Sequence, residues 1–175
     1  MSRIQSLQPS RVLAKLGLLD WPAMAVGLEK GFVNGDDVVQ RAVAEANAHP
    51  MSDDADPPHD VQQLLELSAA QATDSQVPTL VSALAGEMSP EYEELKWYFG
   101  LVTALYELNS PLEETIQAMD DVYAEAGWPE ALRALGQYND VHRDDDAEQR
   151  MLAKRHALHE LRARLQQRLR MRVVR

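Results

Sequence analysis

The stretch Ser89-Pro90-Glu91-Tyr92-Glu93-Glu94-Leu95-Lys96-Trp97-Tyr98-Phe99-Gly100-Leu101-Val102-Thr103-Ala104-Leu105-Tyr106-Glu107-Leu108 decides the fold class. Ser89 offers a capping hydroxyl and Pro90 suits the first helical turn, where its missing N–H costs nothing. Glu91 and Glu93 follow where the positive end of the helix dipole favours acids. Leu95, Tyr98, Phe99, Val102, Leu105, Tyr106 and Leu108 then recur with the period of one helical face. Gly100 and Ala104 leave room for a close neighbour. Trp97, Tyr98 and Phe99 are consecutive, so on this reading one of them points away from the main stripe.

The same grammar of cap, proline, acid, apolar stripe and glycine extends in both directions. Upstream, Ser10 is positioned to cap a short helix that Gly17 ends, and Trp21-Pro22 opens a second that runs to Gly31. Asn34-Gly35-Asp36-Asp37 supplies turn and capping groups for a third, whose stripe is Val38, Val39, Ala42, Val43 and Ala46. Residues 49–58, with Pro50, Pro57 and Pro58, read as a loop. A helix over 59–72 and a short one opened by Pro78 follow as an antiparallel pair. Downstream, Ser110-Pro111 restarts the pattern with Leu112, Thr115, Ile116, Met119, Val122, Tyr123 and Ala126. Gly127 ends it, and Trp128-Pro129-Glu130 begins a short helix with Leu132 and Leu135. No run of alternating β-branched residues competes. The expectation is an all-α fold: an irregular antiparallel helical bundle or a short array of helical pairs, with a long basic C-terminal helix.

That last segment stands apart. From Asp144 to Arg175 there is neither proline nor glycine, with acids at the start and arginines at the end. Met151, Leu158, Leu161, Leu165 and Leu169 form a narrow stripe, and Met151, Leu158 and Leu165 are spaced by heptads. The chain therefore divides into an acidic helical domain, 1–143, and a basic helical extension, 144–175. The extension can dock on its own body, self-associate through residues 148–172, offer a partner helix, or touch nucleic acid or membrane through Arg162, Arg164, Arg168, Arg170, Arg172 and Arg175.

Charge narrows the function. The net charge is -11. Residues 1–143 carry 8 Lys+Arg against 23 Asp+Glu, while residues 144–175 carry 9 against 5. Between Arg41 and Lys96 there are eleven acids and no base. Such a body disfavours nucleic acid and anionic lipid; it either attracts a basic protein surface or simply keeps a small protein soluble. Apolar residues at 45% argue against a disordered chain. The absence of cysteine removes disulfides, thiolate metal sites and thiol nucleophiles and fits a reducing compartment. The first residues lack the apolar run of a signal peptide, and no membrane-length apolar stretch occurs, so the expected location is cytoplasmic.

Chemical motifs are sparse. His49 and His59 flank Asp53-Asp54-Ala55-Asp56 without calcium-loop spacing, and His156 and His159 lack an evident third ligand. There is no nucleophile elbow, phosphate loop or dinucleotide fingerprint. No catalytic, cofactor or metal residues are assigned. The candidate surface is instead a protein-binding one: Glu113, Glu114, Asp120, Asp121 and Glu125, opposite Ile116, Met119 and Tyr123, with Trp97 or Trp128 as aromatic anchors.

Three stretches carry a resemblance: Trp21 to Val33, Leu95 to Tyr106, and Pro111-Leu112-Glu113-Glu114 through Tyr123 to Trp128-Pro129-Glu130. Over roughly residues 10–142 the chain resembles a family of small bacterial proteins known only as a domain of unknown function, which transfers no catalytic residues. In size and character its members are similar to immunity proteins encoded beside bacterial toxins. That resemblance implies an immunity or antitoxin-like protein that neutralises a basic toxin domain by covering its active cleft. The alternatives are an oligomerising helical scaffold or adaptor, and an enzyme with an unrecognised carboxylate site.

Overall fold

The computed structural model describes residues 7–48, 59–108, 110–127, 129–136 and 146–173. Among them the protein is all-α: eight α-helices, one 3₁₀ helix and no strand. In chain order these are α1 (Pro9–Lys15), α2 (Trp21–Lys30), α3 (Gly35–Ala48), α4 (His59–Ala69), α5 (Val77–Ala85), α6 (Pro90–Glu107), α7 (Leu112–Glu125), the 3₁₀ helix (Glu130–Leu135) and α8 (Ala147–Val173). By internal contact the chain forms two units, Leu19–Glu94 and Met1–Leu18 with Leu95–Arg175. No described helix is long and apolar enough to cross a membrane.

In the unit Leu19–Glu94, local signals set the helix ends. The Asp20 side chain accepts from the Ala23 backbone N–H at 3.0 Å and caps α2. Gly31, at φ 75°, ends that helix in the left-handed conformation, and Phe32 N–H reaches back to the Gly27 carbonyl at 2.8 Å. Asn34 and Asp37 then cap α3 reciprocally, each side chain accepting from the other's backbone N–H. The helix read over 59–72 stops at Ala69, because Asp74 captures the Gln71 N–H at 2.7 Å and turns the chain. α4 packs on α3 and α5, and α5 packs on α2. Arg41 lies over the Trp21 ring at 5.4 Å, a cation–π contact that places this tryptophan in half-buried packing.

In the other unit, α1 begins with Pro9 and not with a Ser10 cap; Gln8 holds the capping position without a side-chain bond. α1 lies close on α6 at Gly100, where a Cβ would meet Pro9 and Leu13 at 3.2 Å. The tryptophan, tyrosine and phenylalanine run corrects the single-stripe reading of α6. Trp97, Tyr98 and Phe99 are all buried, together with Lys96, Leu101 and Val102. Buried residues occur all round the middle of α6, so none of these three aromatics points to solvent. α7 packs on the 3₁₀ helix and on α8. The 3₁₀ helix closes so tightly that a Cβ at Gly136 would stand 2.1 Å from the Tyr123 ring.

Candidate protein-binding surface

α7 has a buried side of Thr115, Ile116, Met119, Asp120, Val122 and Tyr123 and an exposed side rich in acids. No Lys or Arg occurs between Lys96 and Arg133, so the helix has no base of its own. At 3.6 residues per turn, Glu114, Asp121 and Glu125 fall on one outward stripe, and Glu113 and Asp120 lie about 100° round from it. This offset divides the five acids into two sets with different neighbours.

The flanking set meets α8. Arg150 Nη2 donates to both Glu113 oxygens at 3.0 Å, and the Glu113 side chain stays 70% exposed. One turn further along α8, Lys154 Nζ donates to Asp120 Oδ1 at 2.7 Å and to the Leu135 carbonyl. Here both partners are buried, Asp120 at 7% and Lys154 at 5% exposure. Burial pushes the Asp120 carboxyl above its ordinary range, opposed by the hydrogen bond and charge of Lys154. Burial likewise lowers the Lys154 ammonium, opposed by Asp120. Desolvation thus outweighs attraction on both sides of the pair, as expected for charges withdrawn from water. Asp120 Oδ2 has no hydrogen-bond partner, which adds to the cost of ionisation.

Lys154 sits where it does because it completes the α8 stripe. Met151, Leu158, Leu161 and Leu165 are buried, and the turn between Met151 and Leu158 offers no apolar residue at the inward position. Lys154 fills it, its stem packing among apolar neighbours and its ammonium reaching two acceptors. Asp146 caps the helix by accepting from Gln149 N–H at 2.9 Å. The basic helix is docked on its own chain, with its apolar seam against α7 and the 3₁₀ helix. Sequence reasoning missed both Arg150 and Lys154. The only signal was the interval in the heptad stripe, which a lysine fills.

A lysine with a lowered pKa is a candidate nucleophile in general. Lys154 is held in the core between two acceptors, an arrangement that serves packing. Among the described residues no three His, Asp or Glu side chains converge as a metal site. His156 is exposed and lies 3.4 Å from Glu160.

The outward set keeps its surface. Glu114, Asp121 and Glu125 are exposed, and Asp121 accepts from Gln117 Nε2 at 3.0 Å along the same helix. Trp97, named as an anchor from sequence, is fully buried, and Asp120 belongs to the core pair. Trp128 lies outside the described residues, as does the loop between His49 and Pro58.

The fold and this surface define an all-helical acidic protein whose basic last helix is an integral packing element. The chain belongs to the family described as an uncharacterized protein conserved in bacteria (DUF2247), whose pattern covers residues 12–167. That span runs beyond the 10–142 of the resemblance and takes in most of α8. No curated protein and no solved structure matches the chain.

Proposed function

We propose that this protein acts by binding, not catalysis, and that its partner is a basic protein surface, as for an immunity or antitoxin-like inhibitor of a toxin domain. The observation that carries the reading is the outward stripe Glu114, Asp121 and Glu125 on α7. Arg150 and Lys154 of α8 pair with Glu113 and Asp120, on its flank. Like charges along a rigid helix accelerate encounter with an oppositely charged surface and make the association sensitive to salt.

The test pairs the wild-type chain with Asp121→Lys/Glu125→Lys, both positions being exposed. Each is immobilised and offered lysate of the native cell at low and high salt, and the retained protein is identified and purified. The expected outcome is one basic protein, held by the wild type at low salt and released at high salt. The double variant binds it at least about tenfold more slowly, as loss of electrostatic steering requires. Co-production of the wild type then protects cells from that protein. Equal association rates for wild type and variant would remove the interface from α7, and a partner without toxicity would remove the immunity reading.

A second reading, a scaffold self-associating through residues 148–172, draws on Leu152 and Met171, which are 66% and 59% exposed on α8. Light scattering decides it: a monomeric mass at high protein concentration excludes it.

A further inference from the structure

The unit formed by Met1–Leu18 and Leu95–Arg175 contains a groove of about 290 Å³ bounded by α1, α6 and α8. Its apolar lining comes from Val12, Leu16, Phe99 and Leu158. Three further features are unusual for so acidic a chain. Arg155, His159 and Arg162 line it from a single face of α8, at the spacing of consecutive helical turns. Neither arginine makes an ion pair among the described residues, although the chain holds 28 Asp and Glu. Thr103 lines the same groove from α6, and its buried Oγ1 has no hydrogen-bond partner. The one acid in the lining, Glu107, faces Lys15 at 3.8 Å, so its charge is offset there.

Guanidinium groups left without a carboxylate, above an apolar floor, are complementary to a molecule with an anionic head and an apolar body. The volume lies at the small end of the roughly 300–1,000 Å³ of ligand pockets, so the body is a short acyl chain or one or two rings. We propose that this groove binds a small amphipathic organic anion, with Arg155 and Arg162 holding the head and Val12, Leu16, Phe99 and Leu158 receiving the body. This site is separate from the acidic stripe on α7 and stands or falls independently of it.

The probe is anilinonaphthalene sulfonate, an aromatic anion whose fluorescence rises in an apolar site. The folded wild-type chain should bind it saturably at one site. Arg155→Glu/Arg162→Glu should weaken binding by about tenfold or more, since two charge-assisted contacts are lost. A matched change in net charge at residues that do not line the groove, Arg133→Glu/Arg164→Glu, should leave binding within about twofold, because it removes no contact to the head. Octanoate should displace the probe at concentrations about tenfold lower than octanol, the head group supplying the difference. Circular dichroism of each variant confirms that the helices persist. Absence of saturable binding to the wild type would overturn the proposal. So would equal displacement by octanol and octanoate, or equal weakening by the two double variants.

Discussion

Replacing Lys154 by methionine keeps the volume of the side chain and removes its charge. The Asp120 carboxylate is then left at 7% exposure with Oδ2 already unpartnered, and the Leu135 carbonyl loses its donor. Breaking one half of a buried ion pair costs about 3–5 kcal/mol, because an uncompensated charge remains inside. Asp120→Leu strands the ammonium instead and costs about 3 kcal/mol. The double variant Asp120→Leu/Lys154→Met removes both desolvation penalties and leaves only the Leu135 carbonyl short, a loss of about 1–2 kcal/mol. The sum of the two single losses should therefore exceed the double by about 4 kcal/mol or more, above the coupling usual for residues in contact because both charges are buried. Urea unfolding followed by circular dichroism measures all four proteins, and a 3 kcal/mol loss moves the midpoint by about 1–3 M. Strict additivity would refute the argument, because it would mean that neither charge depends on the other. A Lys154→Met variant within about 1 kcal/mol of wild type, the range of an exposed pair, would refute the burial itself.

The same pair sets a pH dependence. In the fold the Asp120 carboxyl is raised by burial, and Lys154→Met removes the interaction that opposes the rise. A group raised on folding contributes most below its unfolded value, about 3.9 for an aspartate, and that contribution is lost as pH rises through the folded value. The Lys154→Met deficit should accordingly be smallest near that acidic limit and grow toward neutrality, as urea midpoints of variant and wild type across the range will show. A deficit that shrinks with rising pH would contradict the sign. Separately, Gly136→Ala should destabilise by about 1–3 kcal/mol through overpacking, because its Cβ would stand 2.1 Å from the Tyr123 ring. Thermal unfolding measures the loss, and Tyr123→Leu, which vacates the ring position, should recover part of it in the double variant.

The helices were legible because their signals lie within a few residues of one another. Pro22 in the first turn of α2, Gly31 after its last turn, and the reciprocal Asn34 and Asp37 all act within three or four positions. Composition and periodicity likewise determined the all-α class, the uneven charge, and the inward stripe Met151, Leu158, Leu161 and Leu165. Tertiary structure decided which of the candidate residues share a surface. Arg150 meets Glu113 across 37 positions and Lys154 meets Asp120 across 34, and no local rule selects such partners. The result splits five acids that sequence placed in one patch into a flank bound to α8 and an outward stripe. It also buries Trp97, because the burial on α6 extends beyond one stripe. Helix capping and periodicity are set by neighbours along the chain, whereas burial of a charge is set by what packs over it. The sequence by itself therefore determined where the helices are and how charge is distributed along them, and only packing decided which charges face the core and which face solvent.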